Sequence, residues 1–243
     1  MVGILQPGYL PWLGFFEQMR KSDVFVIYDD VQYDKHGWRN RNRIKGPQGP
    51  VWLTVPVRTS GLNWPANNQV EIDSTQGKWP AKHLGTIRQH YAKAPFFREY
   101  FPALEETLTR PWQRLLDLDL ALLDLLAGWL DIKRQVVLSS ALEVGHHDPT
   151  ERLVEIIKRL EGDVFYEGAS GTNYLNLPRF AEAGIEVVFQ DYRPAPYPQQ
   201  YAGFQPFLSA LDLVLNCGPA SAALVDGLPQ NHTARPGMDH LQS

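Results

Sequence analysis

Short apolar runs alternate with helical patterns along most of the chain. Residues 2–5 and 24–28 are apolar, β-branched or aromatic, and each run predicts a buried strand. Between them, Pro11 suits the first turn of a helix that covers residues 12–21. This order of strand, loop, helix and strand predicts a parallel α/β sheet that is Rossmann-like, with a nucleotidyltransferase-like arrangement as one form of it.

An inserted hairpin is predicted after the second strand. Residues 38–45 alternate in polarity, residues 46–49 carry two glycines and a proline, and residues 51–57 are again largely apolar. Residues 58–74 show no periodicity and predict a loop.

A helical insertion is predicted from about residue 76 to residue 130. Its three helices are expected at 79–91, 97–109 and 112–129. Further strands are expected at 136–138, 163–166 and 186–190. Asp148 and Pro149 suit the cap and first residue of another helix. We expect residues 1–227 to form a single α/β domain with flanking helices, and the polar tail at 228–243 to be disordered.

Composition narrows the classes of function. The chain has 243 residues, a net charge of -4 and a pI of about 6.0, which argues against a generally basic nucleic-acid binder. Cys217 is its single cysteine, so we expect neither an internal disulfide framework nor a cysteine-rich zinc site. The start of the chain lacks signal-peptide character, and three aspartates interrupt the apolar residues 115–130. We therefore expect a cytoplasmic protein with no integral membrane segment.

The first loop, residues 6–12, joins the first strand to the first helix. Open α/β sheets bind ligands at such a position, so Gln6, Tyr9 and Trp12 are predicted to contact a substrate. Nucleotidyltransferases with an H-x-G-H signature carry their histidines here, but residues 12–15 are W-L-G-F. Adenylyl transfer by that mechanism is therefore not expected. The alternative is a tight turn that packs Trp12 into the core.

Two adjacent carboxylates, Asp29 and Asp30, follow the second strand. They are candidate catalytic bases or ligands of Mg²⁺, the one cofactor that the sequence suggests. Neighbouring strand residues point to opposite faces, so the two would share a ligand only if the strand has already ended. Ordinary turn chemistry is the alternative. Gln32 and Tyr33, just beyond, are predicted substrate contacts.

Basic side chains occupy every second position from 39 to 45. On a strand they would share one face and repel one another unless an anion lies against them. Arginine suits phosphate, and asparagine is a poor strand former. We therefore predict a site for a small phosphate-bearing substrate, namely a nucleotide, a sugar nucleotide or a lipid-linked sugar. A solvated edge that prevents aggregation is the alternative. The predicted contacts are Trp38, Arg39, Asn40, Arg41, Asn42 and Arg43.

Two further segments carry candidate residues. His83, in the predicted helix 79–91, is a candidate general base, with a packing role as the alternative. The loop at 167–173 is rich in small residues and follows a predicted strand, so a ligand could approach its backbone N–H groups. Ser170 and Gly171 are the predicted contacts there, and a glycine-rich turn is the alternative.

These segments together resemble the WbqC-like family. The opening motifs are I-L-Q-P-G-Y-L-P-W-L-G at 4–14, D-V-F-V-I-Y-D-D-V-Q-Y at 23–33 and W-R-N-R-N-R-I-K at 38–45. Shorter matches follow: K-A-P-F-F at 93–97, E-R-L at 151–153, Y-E-G-A-S-G at 166–171 and D-L-V-L-N-C-G at 212–218.

The resemblance implies a role in bacterial surface-polysaccharide biosynthesis. Members are similar to proteins encoded in O-antigen clusters, and the family role is amino-acid transfer, such as glycine onto a sugar amine, without assigned residues. We therefore expect a transferase with a phosphate-bearing donor or acceptor. The alternatives are a non-catalytic protein that binds a nucleotide or sugar nucleotide, and an assembly partner of a polysaccharide complex.

Overall fold

The computed structural model describes residues 1–59, 61, 65–145 and 148–228. Its first elements are β1 (Val2–Leu5), α1 (Leu13–Lys21), β2 (Val24–Ile27), β3 (Arg41–Gly46), β4 (Gly49–Thr54), β5 (Val57–Arg58), β6 (Glu71–Ile72), α2 (Trp79–Tyr91) and α3 (Phe97–Thr109). The later ones are α4 (Leu115–Trp129), β7 (Gln135–Leu138), α5 (Pro149–Arg159), β8 (Val164–Glu167), α6 (Leu177–Glu182), β9 (Glu186–Phe189), α7 (Ala210–Cys217) and α8 (Ser221–Leu224).

Five parallel strands form the central sheet, in the order β7-β2-β1-β8-β9. Val2 of β1 pairs with Val24 on one side and with Phe165 on the other. The chain moves outward from β1 through β2 to β7, and then places β8 on the opposite side of β1. This reversal of strand order is that of a doubly wound sheet, and it confirms the predicted α/β, Rossmann-like fold.

Most of the other elements agree with those predicted from the sequence, but several begin or end at different residues. The predicted hairpin is β3–β4, but its first strand begins only at Arg41. Within the predicted loop 58–74, β5 and β6 form a second small antiparallel pair, each too short to leave a periodic pattern. Asp148 caps α5 as expected, because its Oδ1 accepts a hydrogen bond from the Glu151 backbone N–H at 2.9 Å. The predicted disordered tail lies, apart from Leu228, outside the described residues.

Alternation along the central strands sends their side chains to two separate apolar clusters. Val2, Ile4 and Val26 pack with α5 and α6, whereas Phe25 and Ile27 pack with α1 and the helices α2 to α4. The helical insertion therefore covers one face of the sheet. No helix in the described ranges has the length and apolar character needed to cross a lipid bilayer.

A buried carboxylate ties α7 to the helical insertion. Asp212 is fully buried and accepts hydrogen bonds from Tyr91 Oη at 2.5 Å, Tyr197 Oη at 2.7 Å and Gln199 Nε2 at 2.7 Å. Burial raises the pKa of Asp212, which these donors oppose. The distant helix α2 and the nearer segment 197–199 thus meet α7 at one side chain.

Replacing Asp212 by alanine is expected to lower the free energy of unfolding by about 3 kcal/mol, because two tyrosine hydroxyls and an amide lose their buried acceptor. Urea unfolding followed by tryptophan fluorescence measures the change. Asp124→Ala, at an exposed position of α4, is the control and should change stability little. Equal stability of the two variants would contradict a stabilising role for this network.

Candidate functional site

The carboxyl ends of β1, β2 and β8 bring together polar residues from distant parts of the chain. Gln6 follows β1, Asp29 and Asp30 follow β2, and Glu167 ends β8. In an open parallel sheet, ligands bind at this edge where the strand order reverses, which here is between β1 and β8. We call these four residues, together with Arg152, the switch edge.

Asp29 is held by internal hydrogen bonds. It is only 1% exposed, and its carboxylate accepts from Ser140 Oγ at 2.7 Å, Ser140 N at 3.0 Å and Asn68 Nδ2 at 3.1 Å. Burial alone would raise the pKa of Asp29, but the donors outweigh it and the pKa is lowered. The carboxylate is therefore ionised and joins the end of β2 to the segment after β7.

Asp30, unlike Asp29, forms an ion pair with a residue in the described ranges. Because β2 ends at Ile27, the two carboxylates do not alternate, and Ser139 Oγ lies 3.0 Å from Asp29 Oδ1 and 2.5 Å from Asp30 Oδ1. Asp30 also pairs with Arg152 at 2.5 Å. The Arg152 guanidinium lies 5.3 Å from the ring centre of Tyr28. Asp30 and Arg152 thus form a partly buried ion pair at the sheet edge.

Glu167 is a candidate that sequence reasoning missed. Its side chain is 6% exposed and accepts a hydrogen bond from Tyr174 Oη at 2.7 Å. Burial raises the pKa of Glu167 to about 7, although the hydrogen bonds from Tyr174 and Gly168 oppose the rise. A carboxyl group with this pKa exchanges protons near neutral pH. Its position as the last residue of a strand, before a small-residue loop, was the available signal.

The small-residue loop after β8 packs against Glu167. A side chain on Gly171 would place its Cβ 2.4 Å from Glu167 Cγ, so glycine is required there by close packing. Ser170 is exposed beside it. Gly171 therefore has a structural explanation, while the role predicted for Ser170 in substrate binding stays a prediction.

His83 links the first loop to the end of β4 by hydrogen bonds. Its Nδ1 lies 2.8 Å from Tyr9 Oη, and its Nε2 lies 3.1 Å from the carbonyl oxygen of Thr54. A carbonyl only accepts, so Nε2 carries the proton and Tyr9 donates to Nδ1. Burial lowers the pKa of His83 to about 4. The imidazole is neutral at pH 7 with both nitrogens engaged, a geometry that favours the packing alternative over a general base.

The interleaved asparagines also have internal partners. Asn40 Nδ2 donates to the carbonyl of Val55 at 2.7 Å. Asn42 Nδ2 donates to the carbonyls of Leu10 at 2.8 Å and Tyr9 at 3.2 Å. Hydrogen bonding to the first loop therefore explains why asparagine is present in a strand.

The predicted common face of four basic residues is wrong for Arg39, whereas Arg41, Arg43 and Lys45 occupy alternate positions of β3. Arg39 precedes β3, its Nη1 donates to the carbonyl of Pro7 at 2.8 Å, and burial lowers its pKa. Lys45 is buried, and its Nζ donates to Gln199 Oε1 at 3.1 Å and to the carbonyl of Gly203. These two cations are used to join segments of the protein.

Arg41 and Arg43 instead form a mixed surface with two tryptophans. Trp38 and Trp52 stack with ring centres 5.3 Å apart. Arg41 lies 4.9 Å from the Trp52 ring, and Arg43 lies 5.1 Å from the Trp38 ring. On a strand that ran from 38 to 45, Trp38 would face away from the arginines, but it precedes β3 and lies beside Arg43.

The first loop and the hairpin share one cavity. Trp12, Trp38, Arg43 and Phe207 line a volume of about 340 Å³, which we call the aromatic cavity. The Trp12 ring also folds over Gly14, where an added Cβ would lie 2.2 Å from it. Trp12 therefore covers the start of α1 and forms one wall of the cavity.

The remaining predicted contacts are dispersed. Gln6 Oε1 accepts a hydrogen bond from Asn67 Nδ2 at 3.4 Å. Gln32 is exposed beside the sheet edge, and Tyr33 is buried in the wall of another cavity. Across the residues that the structure describes, no three histidine, cysteine, aspartate or glutamate side chains converge as metal ligands. The possible Mg²⁺ therefore has no protein-built cage in that part of the chain.

The parallel sheet, its reversal of strand order and the polar edge define an α/β protein of the Rossmann-like class. The profile of the WbqC-like protein family matches residues 6–223, and the chain belongs to that family. It is 35% identical over 219 residues to the uncharacterized protein Rv1507c of Mycobacterium tuberculosis. That match covers 89% of this chain and 94% of the relative. No solved structure matches the chain at a significant level.

The raised pKa of Glu167 makes stability depend on pH. The folded state holds a proton on Glu167 up to about pH 7, whereas the unfolded carboxyl loses it near its ordinary pKa of 4.5. Stability is therefore lost as pH rises between these values. Glu167→Gln, which does not titrate, should gain stability relative to the native protein by up to about 3 kcal/mol over that range.

Urea unfolding at a series of pH values measures this difference. Glu186→Gln, at an exposed position of β9, is the control and should follow the native protein. A Glu167→Gln curve parallel to the native one at every pH would show that the carboxyl titrates normally.

Proposed function

We propose that this protein is a transferase of bacterial surface-polysaccharide biosynthesis that moves an amino acid, such as glycine, onto the amine of a phosphate-bearing sugar. The observation that carries the proposal is the switch edge. Glu167 ends β8, and Asp30, which pairs with Arg152, follows β2. These strands lie on the two sides of the point where the strand order reverses, which is where this class of sheet binds its ligands. Membership of the WbqC-like family supports the same role through the resemblance described above.

Glu167 is the proposed general base. A sugar ammonium group must lose a proton before its nitrogen can attack a carbonyl carbon, and a buried carboxylate with a pKa of about 7 accepts that proton at neutral pH. The nitrogen forms an amide bond to the carbonyl carbon of an activated amino acid. The bond from that carbon to the phosphate oxygen breaks, and the phosphate group leaves with the electron pair.

Arginines of the switch edge and of the aromatic cavity suit the phosphate-bearing parts of the reactants. Arg152, beside Asp30, would stabilise negative charge that develops on the carbonyl oxygen or leaving group. Arg43 opens on the aromatic cavity, where Trp12 and Trp38 offer flat faces to a base or sugar ring. Asp29 and His83, whose polar atoms have internal partners, would then position the site rather than transfer protons.

Mass spectrometry tests the reaction directly. Purified protein is incubated with an amino sugar linked to a nucleoside diphosphate and with glycyl adenylate. The expected product is heavier than the sugar nucleotide by one glycyl residue, and its rate of formation should rise with pH up to about 7 as Glu167 ionises. Absence of product with every combination of activated amino acid and amino sugar nucleotide would refute the transferase.

A substitution identifies the base. Glu167→Gln should lower the rate by at least about 100-fold, because removing a general base costs that much or more. Binding of the sugar nucleotide should persist, and the Glu186→Gln control should retain full activity. A Glu167→Gln rate within a few-fold of the native rate would assign the base elsewhere.

A non-catalytic sugar-nucleotide binding protein is the second candidate. The observation that favours it is Trp12, which covers the start of α1 where nucleotidyltransferases of the H-x-G-H type carry catalytic histidines. Saturable binding of a sugar nucleotide without any product would support this reading over the transferase.

A further inference from the structure

A large cavity lies between the hairpin strand β4 and the start of α2. Its volume is about 830 Å³, and we call it the lysine cavity after Lys35, Lys78 and Lys82 in its wall. It shares no lining residue with the switch edge or with the aromatic cavity. The activity proposed above leaves this cavity without a role.

The wall of the lysine cavity carries positive charge that the described protein does not neutralise. The ammonium groups of Lys35, Lys78 and Lys82 form no ion pair with any residue in the described ranges, and the wall contains no aspartate or glutamate. Asp73, close in sequence to Lys78, is engaged by Thr75, Gln76 and Arg58. A basic wall without counter-ions, on a chain of net charge -4, is suited to an anionic ligand.

The rest of the wall suits a ring with many hydroxyl groups. Trp52 lines the cavity and is 47% exposed, although its ring also stacks on Trp38 and lies beside Arg41 and Arg43. Trp79 lies deeper in the wall. The hydroxyls of Thr54 and Thr59 make no hydrogen bond to a described residue and can donate to or accept from a ligand. Hydroxyls without internal partners can satisfy the polar rim of a sugar ring, and the exposed part of the Trp52 indole can contact its apolar side.

We propose that the lysine cavity binds a phosphorylated saccharide, with the phosphate on the three lysines and the sugar hydroxyls on Thr54 and Thr59. A phosphate monoester carries close to two negative charges and three acceptor oxygens, which match three ammonium groups better than a single carboxylate does. The site is independent of the chemistry at the switch edge. It would hold a part of the substrate, or of the growing glycan, away from the reacting groups.

Isothermal titration with glucose 1-phosphate as the probe tests the site. The native protein should bind it at least about ten-fold more tightly than glucose or inorganic phosphate, because each of these offers only half of the proposed contacts. Affinity should fall as NaCl is added, since exposed charges are screened by salt. Equal affinity for glucose and glucose 1-phosphate would overturn the proposal. Equal affinity for inorganic phosphate and glucose 1-phosphate would also overturn it, because the sugar would then make no contribution to binding.

Charge reversal locates the binding. The double variant Lys78→Glu/Lys82→Glu should weaken binding of glucose 1-phosphate by at least about ten-fold, with its fold verified by circular dichroism. Lys133→Glu is the matched control, since Lys133 is exposed and outside the cavity. Unchanged binding by the folded double variant would refute the site. Glu167→Gln should bind the probe normally, so loss of turnover there and loss of binding here are separate outcomes.

Discussion

The side-chain amide of Asn42 fixes the first loop, which forms one wall of the aromatic cavity, by hydrogen bonds. It donates to two successive carbonyls of the first loop, those of Tyr9 and Leu10, and Leu10 takes a positive φ of 45° between them. Tyr9 then continues the chain of contacts to His83 and the end of β4. A residue of the hairpin, outside the central sheet, thus fixes the loop that follows β1. Buried amides and carbonyls without partners are costly, so the loop and the hairpin form together or not at all.

Burial acts on two carboxylates of the sheet edge with opposite outcomes. Asp29 is as deeply buried as Glu167, but several N–H and O–H donors converge on it and stabilise its charge. Glu167 has fewer donors, so desolvation prevails and the group keeps its proton to higher pH. The same edge therefore holds a fixed anion and an exchangeable proton. The lysine cavity, whose wall has no carboxylate, offers the opposite charge beside β4.

The sequence predicted the elements better than the direction of their side chains. Apolar runs were sufficient to place β1, β2 and α2, because burial of a strand or helix leaves a local periodic trace. The predicted face of four basic residues failed at Arg39 because β3 begins only at Arg41, and the Arg39 side chain donates to the first loop instead. For Glu167 the sequence offered only its position at the end of a strand, since its burial comes from Tyr174 and the packing of Gly171. The lysine cavity was equally hidden, because its cations come from separate segments that only the fold assembles.

The order of the sheet also decides when its core can exist during synthesis. β1 lies at the centre of the sheet, but its partner β8 follows it by about 160 residues in the chain. The partner of β2, β7, follows the helical insertion. Contacts within the hairpin, between α2 and α3 and between β1 and β2 join segments close in sequence, whereas the pairings β2–β7 and β1–β8 need long loops to close first. In a nascent chain, therefore, β1 and β2 can pair with each other, but the other edge of each strand stays unpaired until β8 and β7 are synthesised. The helices α2 to α4 precede β7 and β8 in the chain and pack on Phe25 and Ile27, so one apolar face of β2 can be covered before the sheet is complete.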